Sequence, residues 1–390
     1  MFSCYRFTYA NRGHVLQRSD QVRGLLTNIL IGLLTIGVPS ARCSALPPTD
    51  LSPAERVHAF YYGWYGTPEV NGKWLQWNHA VSLLGGKTGP NCQPPEDIGA
   101  NFYPEAGPYS SRDTGTVARH CAELQRAGVG VVAVSWWGKD QVTDQSLPVL
   151  FDAARASGLK IAFHLEPWPG RDAASIRDAL AYLLDRWGSA PELFRWAGRP
   201  LVYVYDSYLV PDSEWKRLLR PDGDISVRGT PQDCVFIGLW VKEDHGRALA
   251  ESGFDGFYTY FATEGFTWGS TPGNWPKMAQ FARQEGKIFI PSVGPGYNDL
   301  RIRPWNLKNY RARDGGAYYD AMMRQAVEVD PHILSITSYN EWHEGTQIEP
   351  AVPKQAAGRN YEDYGNLAPT WYLDRTRYWV DRWLHGSKGL

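Results

Sequence analysis

Short apolar segments alternate with helical patterns eight times along this chain, and this alternation constrains the fold more than any other feature. The segments are rich in β-branched and aromatic residues, which is typical of strands that are buried on both faces of a parallel sheet. They lie at 57–65, 130–137, 160–168, 200–207, 234–241, 253–261, 287–294 and 332–340. Eight such units predict an α/β fold, a single (β/α)8 TIM barrel rather than an open doubly wound sheet.

The helical patterns carry their own start and stop signals. Asp172 is placed to cap the helix that precedes Gly188, and Gly128 is placed to end an earlier one. A final helix is predicted over 371–384 from its apolar spacing. The stretch 66–113 is rich in Gly, Pro and aromatic residues, so we expect it to form an elaborated loop between the first strand and its helix.

Composition excludes several classes of protein. The 390 residues are 43% hydrophobic and 21% charged with a net charge of -1, which excludes a disordered chain and gives no support for a nucleic-acid partner. The five cysteines form no C-x-x-C pair, so a zinc ribbon or a thioredoxin-like site is not expected. A dense disulfide framework is also excluded, although one bridge among Cys92, Cys121 and Cys234 stays open. Cys121 lies on the apolar face of a predicted helix, where a buried free thiol is the simpler interpretation.

The N-terminus has the pattern of a targeting segment. Residues 24–41 carry no charge and follow several arginines, as in a secretory signal or a signal anchor. The apolar core is shorter than the roughly 20 residues that span a bilayer. We therefore expect residues 1–50 to be a leader and stem and 51–390 to be the catalytic domain, with membrane contact through the leader alone. Whether the leader is cleaved stays open.

Aromatic and ionisable residues fall where the predicted strands end. In a parallel barrel these ends converge on one rim, which carries the active site. The residues in these positions include Trp64, Trp137, Glu166, Asp206, Tyr260, Tyr297, Asn340, Glu341, His343 and Glu344. Rings beside carboxylates are suited to binding sugars, although some rings must simply belong to a bulky core.

Two carboxylates, Glu341 and Glu344, lie three residues apart after the last strand. Cleavage of a glycosidic bond needs a proton donor and a second carboxylate across the reacting carbon. Glu166 is a third candidate, and Arg303 could keep one acid ionised while another stays protonated. The pattern therefore favours a sugar hydrolase, while a sugar-binding barrel without turnover stays open.

Other hydrolase chemistries lack their motifs. A metal hydrolase could draw on several histidines, but no H-E-x-x-H spacing occurs. A serine hydrolase would need a G-x-S-x-G elbow, which is absent. We interpret His79 and His343 as hydrogen-bonding residues of an aromatic site, and we expect neither a metal nor a cofactor.

Six segments together resemble glycoside hydrolase family 99, the endo-α-1,2-mannosidases, and they span almost the whole body of the chain in order. The most specific is SITSYNEWHEGTQIEPA at 335–351. The others are PPEDIGANFYPEAGPYSSRD (94–113), AFHLEPWPGRD (162–172), VYDSYL (204–209), GFDGFYTYFATEGF (253–266) and PSVGPGYNDLRIRPWN (291–306). The chain is most similar to the eukaryotic Golgi branch, whose members carry an N-terminal signal anchor. This likeness implies a single-pass type II membrane protein in the Golgi lumen, or a secreted one if the leader is cleaved.

The resemblance also implies a substrate and a mechanism. The substrate would be a mannose-containing N-glycan with a glucose-capped arm, cut at the internal α-1,2-mannosidic bond with retention. Glu341 would deprotonate the 2-hydroxyl of the mannose, which attacks C1 to give a 1,2-anhydro sugar. Glu344 would protonate the leaving oxygen and then activate water.

Further residues match positions that contact sugar or the catalytic acids: Tyr62, His79, Trp137, Glu166, Tyr260, Arg303 and Asn340. Trp137 is a departure, because animal members of the family have Tyr at this position and bacterial members have Trp. The bacterial enzymes accept mannose as the terminal sugar and act on α-mannan. The resemblance therefore leaves glucose or mannose open at that subsite.

Overall fold

A closed parallel sheet forms the centre of the protein in a computed structural model that describes residues 51–386. Its strands are β1 (Val57–Tyr61), β2 (Val131–Trp136), β3 (Lys160–Leu165), β4 (Arg199–Val204), β5 (Val235–Leu239), β6 (Gly256–Tyr258), β7 (Ile288–Ile290), β8 (Ser292–Val293) and β9 (Leu334–Ile336). The order of neighbours is β7-β6-β5-β4-β3-β2-β1-β9-β8. Because only Pro291 separates β7 from β8, these two segments make one strand position and the sheet closes into a barrel.

One helix follows each of the eight strand positions. The helices are α1 (Thr114–Arg126), α2 (Val142–Ser157), α3 (Ala173–Trp187), α4 (Asp212–Leu219), α5 (His245–Ser252), α6 (Trp275–Gln284), α7 (Ala317–Glu328) and α8 (Trp371–His385). The predicted (β/α)8 barrel is thus confirmed. Shorter elements decorate it: a helix at Pro68–Asn71, an antiparallel pair of Ala80–Leu83 with Lys87–Asn91, a second pair of Gln355–Ala356 with Arg359–Asn360, and Arg195–Trp196 beside β4.

The signals at the helix ends act as the sequence predicts. The side chain of Asp172 accepts the backbone N–H of Ser175 at 2.8 Å and caps α3. The helix ends before Gly188, whose N–H donates to the carbonyl of Leu184, although Gly188 itself stays in the right-handed region. Gly128 adopts a φ of +78° just after α1, a conformation that residues with a Cβ adopt at a cost.

The strands end earlier than the sequence predicts, and this places the rim residues outside the sheet. The segment predicted to run over 57–65 leaves the sheet after Tyr61, and the segment predicted over 332–340 leaves it after Ile336. The apolar pattern continues past both ends because residues 62–65 and 337–340 pack into the rim. Inside the barrel the rings of Phe60, His164, Tyr203 and Tyr258 pack together, so part of the aromatic excess belongs to the core.

Three cysteines of the described chain, Cys92, Cys121 and Cys234, are buried free thiols. Burial raises the pKa of Cys121 to about 11, which makes this thiol unreactive at neutral pH. Among residues 51–386 no helix is both long and apolar enough to cross a bilayer. The apolar segment 24–41 lies outside the described residues, so the leader and its boundary at residue 50 stay predictions.

Candidate active site

Glu341 and Glu344 lie on a tight turn just beyond the last strand of the barrel. The turn Trp342–Glu344 is a single 3₁₀ turn. Ser338 anchors its start, because the backbone N–H of Glu341 donates to the Ser338 hydroxyl at 2.7 Å. The turn places both carboxyl groups close enough for the charge of Glu341 to raise the pKa of Glu344.

The two oxygens of the Glu341 carboxyl group have different environments. Oε1 accepts the backbone N–H of His343 at 3.2 Å. Oε2 is buried and has no hydrogen-bond partner among the described residues. Burial raises the pKa of Glu341 to about 8, against the opposing charge of Arg303. A buried oxygen without a partner is suited to accept a proton from a bound ligand.

Glu344 faces a cluster of polar groups, and its side chain is 24% exposed. Its Oε1 lies 3.4 Å from Nη1 of Arg303 and 3.4 Å from the hydroxyl of Tyr297. Asp299 holds the same arginine at 3.0 Å. Burial raises the pKa of Glu344 to about 7, while Arg303 lowers it and Glu341 raises it.

Burial raises the pKa of both carboxyl groups, and the charge of Glu341 raises that of Glu344 further. Both Glu341 and Glu344 have their pKa moved toward neutrality, where general acid and base catalysts are most effective.

His343 lies against Glu341 as a neutral imidazole. Burial lowers its pKa well below the usual range. Its Nε2 lies 3.1 Å from the carbonyl of Gln76, so Nε2 carries the proton and Nδ1 presents a lone pair. Nδ1 is 3.4 Å from Oε1 of Glu341. His79 lies beside it, with ring centroids 5.0 Å apart, and bonds the carbonyl of Ala80 through Nδ1.

Aromatic side chains line the rim next to the carboxyl groups. The hydroxyls of Tyr62 and Tyr260 are hydrogen-bonded to each other. The ring of Trp64 lies 4.9 Å from that of Tyr62 and stacks on Trp137 with centroids 6.5 Å apart and planes 27° apart. Such flat apolar surfaces match the faces of sugar rings.

Tyr260 is held in an unusual backbone conformation. Its φ is +52°, which is rare for a bulky residue. Two bonds fix it, because its N–H donates to the Ser292 hydroxyl at 2.7 Å and its carbonyl accepts from the Thr337 hydroxyl at 2.5 Å. Surrounding structure that enforces a strained residue is typical of functional sites.

Glu166 directly follows β3, and its side chain is buried. Its Oε1 accepts from the Ser135 hydroxyl at 2.8 Å and lies 3.3 Å from Nδ1 of His164. Burial, and then the charges of Glu166 and Glu341, raise the pKa of Tyr62 well above its usual range. Two acids from different strands thus act on one hydroxyl, which places all three around one space.

The Asn340 side chain is held within the protein. It is fully buried, its Oδ1 accepts the N–H of Tyr62 at 2.7 Å, and its Nδ2 donates to the carbonyl of Tyr62 at 3.1 Å and the hydroxyl of Tyr109 at 3.2 Å. Both amide protons are bonded within the protein, so the side chain positions Tyr62. A contact of Asn340 with sugar stays a prediction.

The structure places the nine expected residues at or beside the rim, and their roles toward a substrate stay predictions. It adds Asp299 and Ser338, which the sequence analysis did not assign to the site. Tyr297 and His343, which the sequence places after predicted strands, contact Glu344 and Glu341. Among residues 51–386 no group of three His, Cys, Asp or Glu side chains is arranged to hold a metal ion.

A barrel rim with two neighbouring carboxyl groups beside stacked aromatic rings defines the class of protein, a glycoside hydrolase. Residues 53–385 match the model of glycosyl hydrolase family 99, and the chain belongs to this family.

Solved and curated relatives agree with this assignment. An endo-α-mannosidase of this family from Bacteroides thetaiotaomicron is 45% identical, with a TM-score of 0.83, over 87% of this chain and 100% of that one. The glycoprotein endo-α-1,2-mannosidase of Rattus norvegicus is 42% identical over 94% of this chain and 83% of its own length. A glycoprotein endo-α-1,2-mannosidase-like protein of Homo sapiens is 41% identical over 87% of this chain and 78% of its own length.

Proposed function

We propose that this protein is a retaining endo-α-1,2-mannosidase that removes a glucose-capped mannose saccharide from high-mannose N-glycans. The observation that carries the proposal is the unpartnered Oε2 of Glu341, three residues before Glu344, whose carboxylate pairs with Arg303. Relatives named endo-α-1,2-mannosidase, at 41–42% identity, support the bond that is cut.

In the first step the nucleophile belongs to the substrate. Glu341 Oε2 takes the proton of the mannose 2-hydroxyl, and O2 attacks C1 from the face opposite the leaving group. The C1–O bond to the leaving sugar breaks, and Glu344 gives its proton to that oxygen. The product is a 1,2-anhydro sugar. Holding the nucleophile within the same ring gives this step the advantage of proximity.

In the second step water opens the three-membered ring. Glu344, now ionised, takes a proton from water as the water oxygen attacks C1. The C1–O2 bond breaks, and O2 recovers its proton from Glu341. Each step inverts C1, so the two together retain its configuration. The charge of Arg303 lowers the pKa of Glu341 against the effect of burial, which favours the ionised form that takes the proton.

A second candidate function is hydrolysis of α-mannan by the same chemistry. Trp137 favours it, because bacterial members of the family resemble this chain at that position. The indole of Trp137 stacks on Trp64 and has no hydroxyl to bond a terminal sugar. The two candidates differ only in the terminal sugar that they accept.

We also propose that residues 1–50 carry the domain into the secretory pathway and anchor it on the lumenal side of the Golgi. The arginines before the uncharged stretch 24–41 support this orientation. Fractionation of cells that express the full chain, followed by an alkaline carbonate wash, tests it. An anchored protein stays in the pellet, whereas a cleaved one is released.

Incubation with glucosylated high-mannose glycan and, separately, with α-mannan tests the main proposal. Mass analysis of the products should show a glucose-capped mannose saccharide from the first substrate, and NMR of the fresh product should show the α-anomer. Turnover of α-mannan alone would select the second candidate. Binding without a product from either substrate would contradict both.

A further inference from the structure

An exposed apolar surface lies on two neighbouring segments of the rim. This surface is here called the rim platform. It consists of the exposed side chains of Leu83, Leu84, Trp305 and Leu307. The Trp305 side chain is 44% exposed and Leu84 is 73% exposed. Exposed apolar groups that cluster, unlike isolated ones, mark surfaces that bind something.

The rim platform is fixed in place before any ligand arrives. The indole N–H of Trp305 donates to the carbonyl of Ser82 at 3.0 Å. The backbone N–H of Ser82 donates to the carbonyl of Ile302 at 2.7 Å. The hairpin Ala80–Leu83 with Lys87–Asn91 is therefore joined to the segment that carries Trp305. A ring that is already held loses little conformational entropy on binding.

This surface is continuous with the active site at two points. Arg303, two residues before Trp305, contacts Glu344 at 3.4 Å. His79, which directly precedes the hairpin, lies close enough to feel the charges of both Arg303 and Glu341. The platform therefore adjoins the segment whose Arg303 contacts Glu344.

The segment that carries Arg303 and Trp305 lies next to the proposed acid, Glu344. In the proposed reaction Glu344 gives its proton to the leaving oxygen, so the sugars attached to this oxygen must extend past Glu344 and Arg303. An enzyme that cuts within a glycan has to accommodate this remainder. The C–H faces of sugar rings pack well on exposed indole and leucine side chains.

We propose that the rim platform binds the oligosaccharide on the leaving-group side of the scissile bond, with Trp305 as its principal contact. This inference rests on the proposed endo-mannosidase activity. It assigns to Trp305 the selection of long glycans over short ones. A lipid surface or a second copy of the chain are the other occupants that an apolar surface could take.

Steady-state kinetics of Trp305→Ala on two substrates tests the inference. One substrate is the glucosylated high-mannose glycan, and the other is a glucosyl-mannosyl fluoride, which has no sugar on the leaving-group side. We expect KM for the glycan to rise roughly tenfold with kcat within about twofold of wild type, because binding common to ground and transition states is lost. Both constants for the fluoride should be unchanged.

Two further variants sharpen the comparison. Trp305→Phe keeps a ring and should raise KM for the glycan less than Trp305→Ala does. Leu209→Ala removes an exposed apolar side chain after β4 and should match wild type on both substrates. Circular dichroism should show that all variants are folded.

Each contrary result has a distinct meaning. If wild type cleaves neither substrate, the proposed function fails and this inference falls with it. If wild type cleaves both and Trp305→Ala changes neither KM, or raises both equally, the inference alone is overturned. Vesicle binding or dimerisation that Trp305→Ala abolishes, with KM for the glycan unchanged, would assign the surface to lipid or to a second copy.

Discussion

Nη1 of Arg303 lies 3.4 Å from Oε1 of Glu344, while the same atom lies 3.0 Å from Asp299. The same guanidinium group of Arg303 therefore interacts both with Asp299 and with Glu344, the proposed acid. This arrangement moderates the effect of burial on Glu344, whose pKa rises only to about 7. The arginine thus sets the pH at which the acid releases its proton.

Arg303→Met should shift the pH dependence of catalysis. Without the cation the pKa of Glu344 rises further, so the alkaline limb of the kcat/KM profile should move to higher pH, and kcat should fall roughly 10- to 100-fold. Arg301→Met is a matched control, because Arg301 is equally exposed on the same segment but pairs with Asp97. An alkaline limb that stays in place would contradict the role given to Arg303.

Glu344→Gln should abolish the proton transfer to the leaving oxygen. We expect kcat on unactivated glycan to fall by about 10²–10⁴-fold with binding nearly unchanged, as measured by product formation and by calorimetric titration. Glu243→Gln, an exposed acid after β5, should behave as wild type. Normal turnover by Glu344→Gln would refute the acid assignment.

Glu341→Gln should be inactive to a similar extent, because an amide cannot take the proton of the 2-hydroxyl. The wild-type enzyme should also remain unlabelled by a 2-deoxy-2-fluoro mannosyl fluoride, since that substrate lacks the attacking hydroxyl. Product formation measures the activity of Glu341→Gln, and intact-protein mass spectrometry detects any label on the wild-type enzyme. A glycosyl ester on Glu341 would instead indicate an ordinary carboxylate nucleophile.

Trp137→Tyr should increase the preference of the enzyme for substrates whose terminal sugar is glucose rather than mannose. The substitution adds a hydroxyl beside Trp64 that can bond the terminal sugar, and one such bond changes relative kcat/KM by about 2- to 10-fold. Competition between glucose-capped and mannose-capped substrates measures the ratio. If the ratio is the same in both enzymes, Trp137 does not determine the terminal subsite.

Replacing Glu344 by Gln should also change how the stability of the folded protein depends on pH. The pKa of Glu344 is raised from 4.5 to about 7, so the folded protein binds this proton more tightly than the unfolded chain does. Its contribution to stability is therefore present below about pH 4.5 and is lost as the pH rises through about 7. Glu344→Gln cannot ionise, so its Tm should exceed that of wild type by roughly 2–5 °C at pH 8 and match it near pH 4.5.

Calorimetric melting curves of wild type, Glu344→Gln and Glu243→Gln at the two pH values measure this difference. Glu243→Gln should follow wild type at both. A Glu344→Gln protein that melts below wild type at pH 8 would show that ionised Glu344 stabilises the fold rather than straining it.

The sequence predicts the barrel well because buried parallel strands impose a continuous apolar pattern. It also predicts that acidic residues at the ends of the strands lie near one another, because the ends of parallel strands converge on one rim regardless of the loop conformations. Glu166 and Glu341 are 175 residues apart in the chain, yet their charges act on the same tyrosine hydroxyl.

The sequence does not reveal which polar side chains form hydrogen bonds within the protein and which are left to bind a substrate. Asn340 has the composition and position of a sugar ligand, but its amide is hydrogen-bonded to Tyr62 and Tyr109. The tautomer of His343 likewise depends on the carbonyl of Gln76, which lies more than 260 residues earlier in the chain. Such bonds depend on atomic distances that no local pattern encodes.

The Asn340 side chain joins the first barrel strand to the last, because it bonds both backbone groups of Tyr62 just past β1. The proposed reacting centre therefore lies where the first and last strands of the barrel meet. A polypeptide halted before residue 340 would hold most of the aromatic wall and neither proposed proton carrier. The protein would then become able to hydrolyse its substrate only after the last barrel strand has been synthesised. Catalytic activity would therefore indicate that the first and last strands have paired and the barrel has closed.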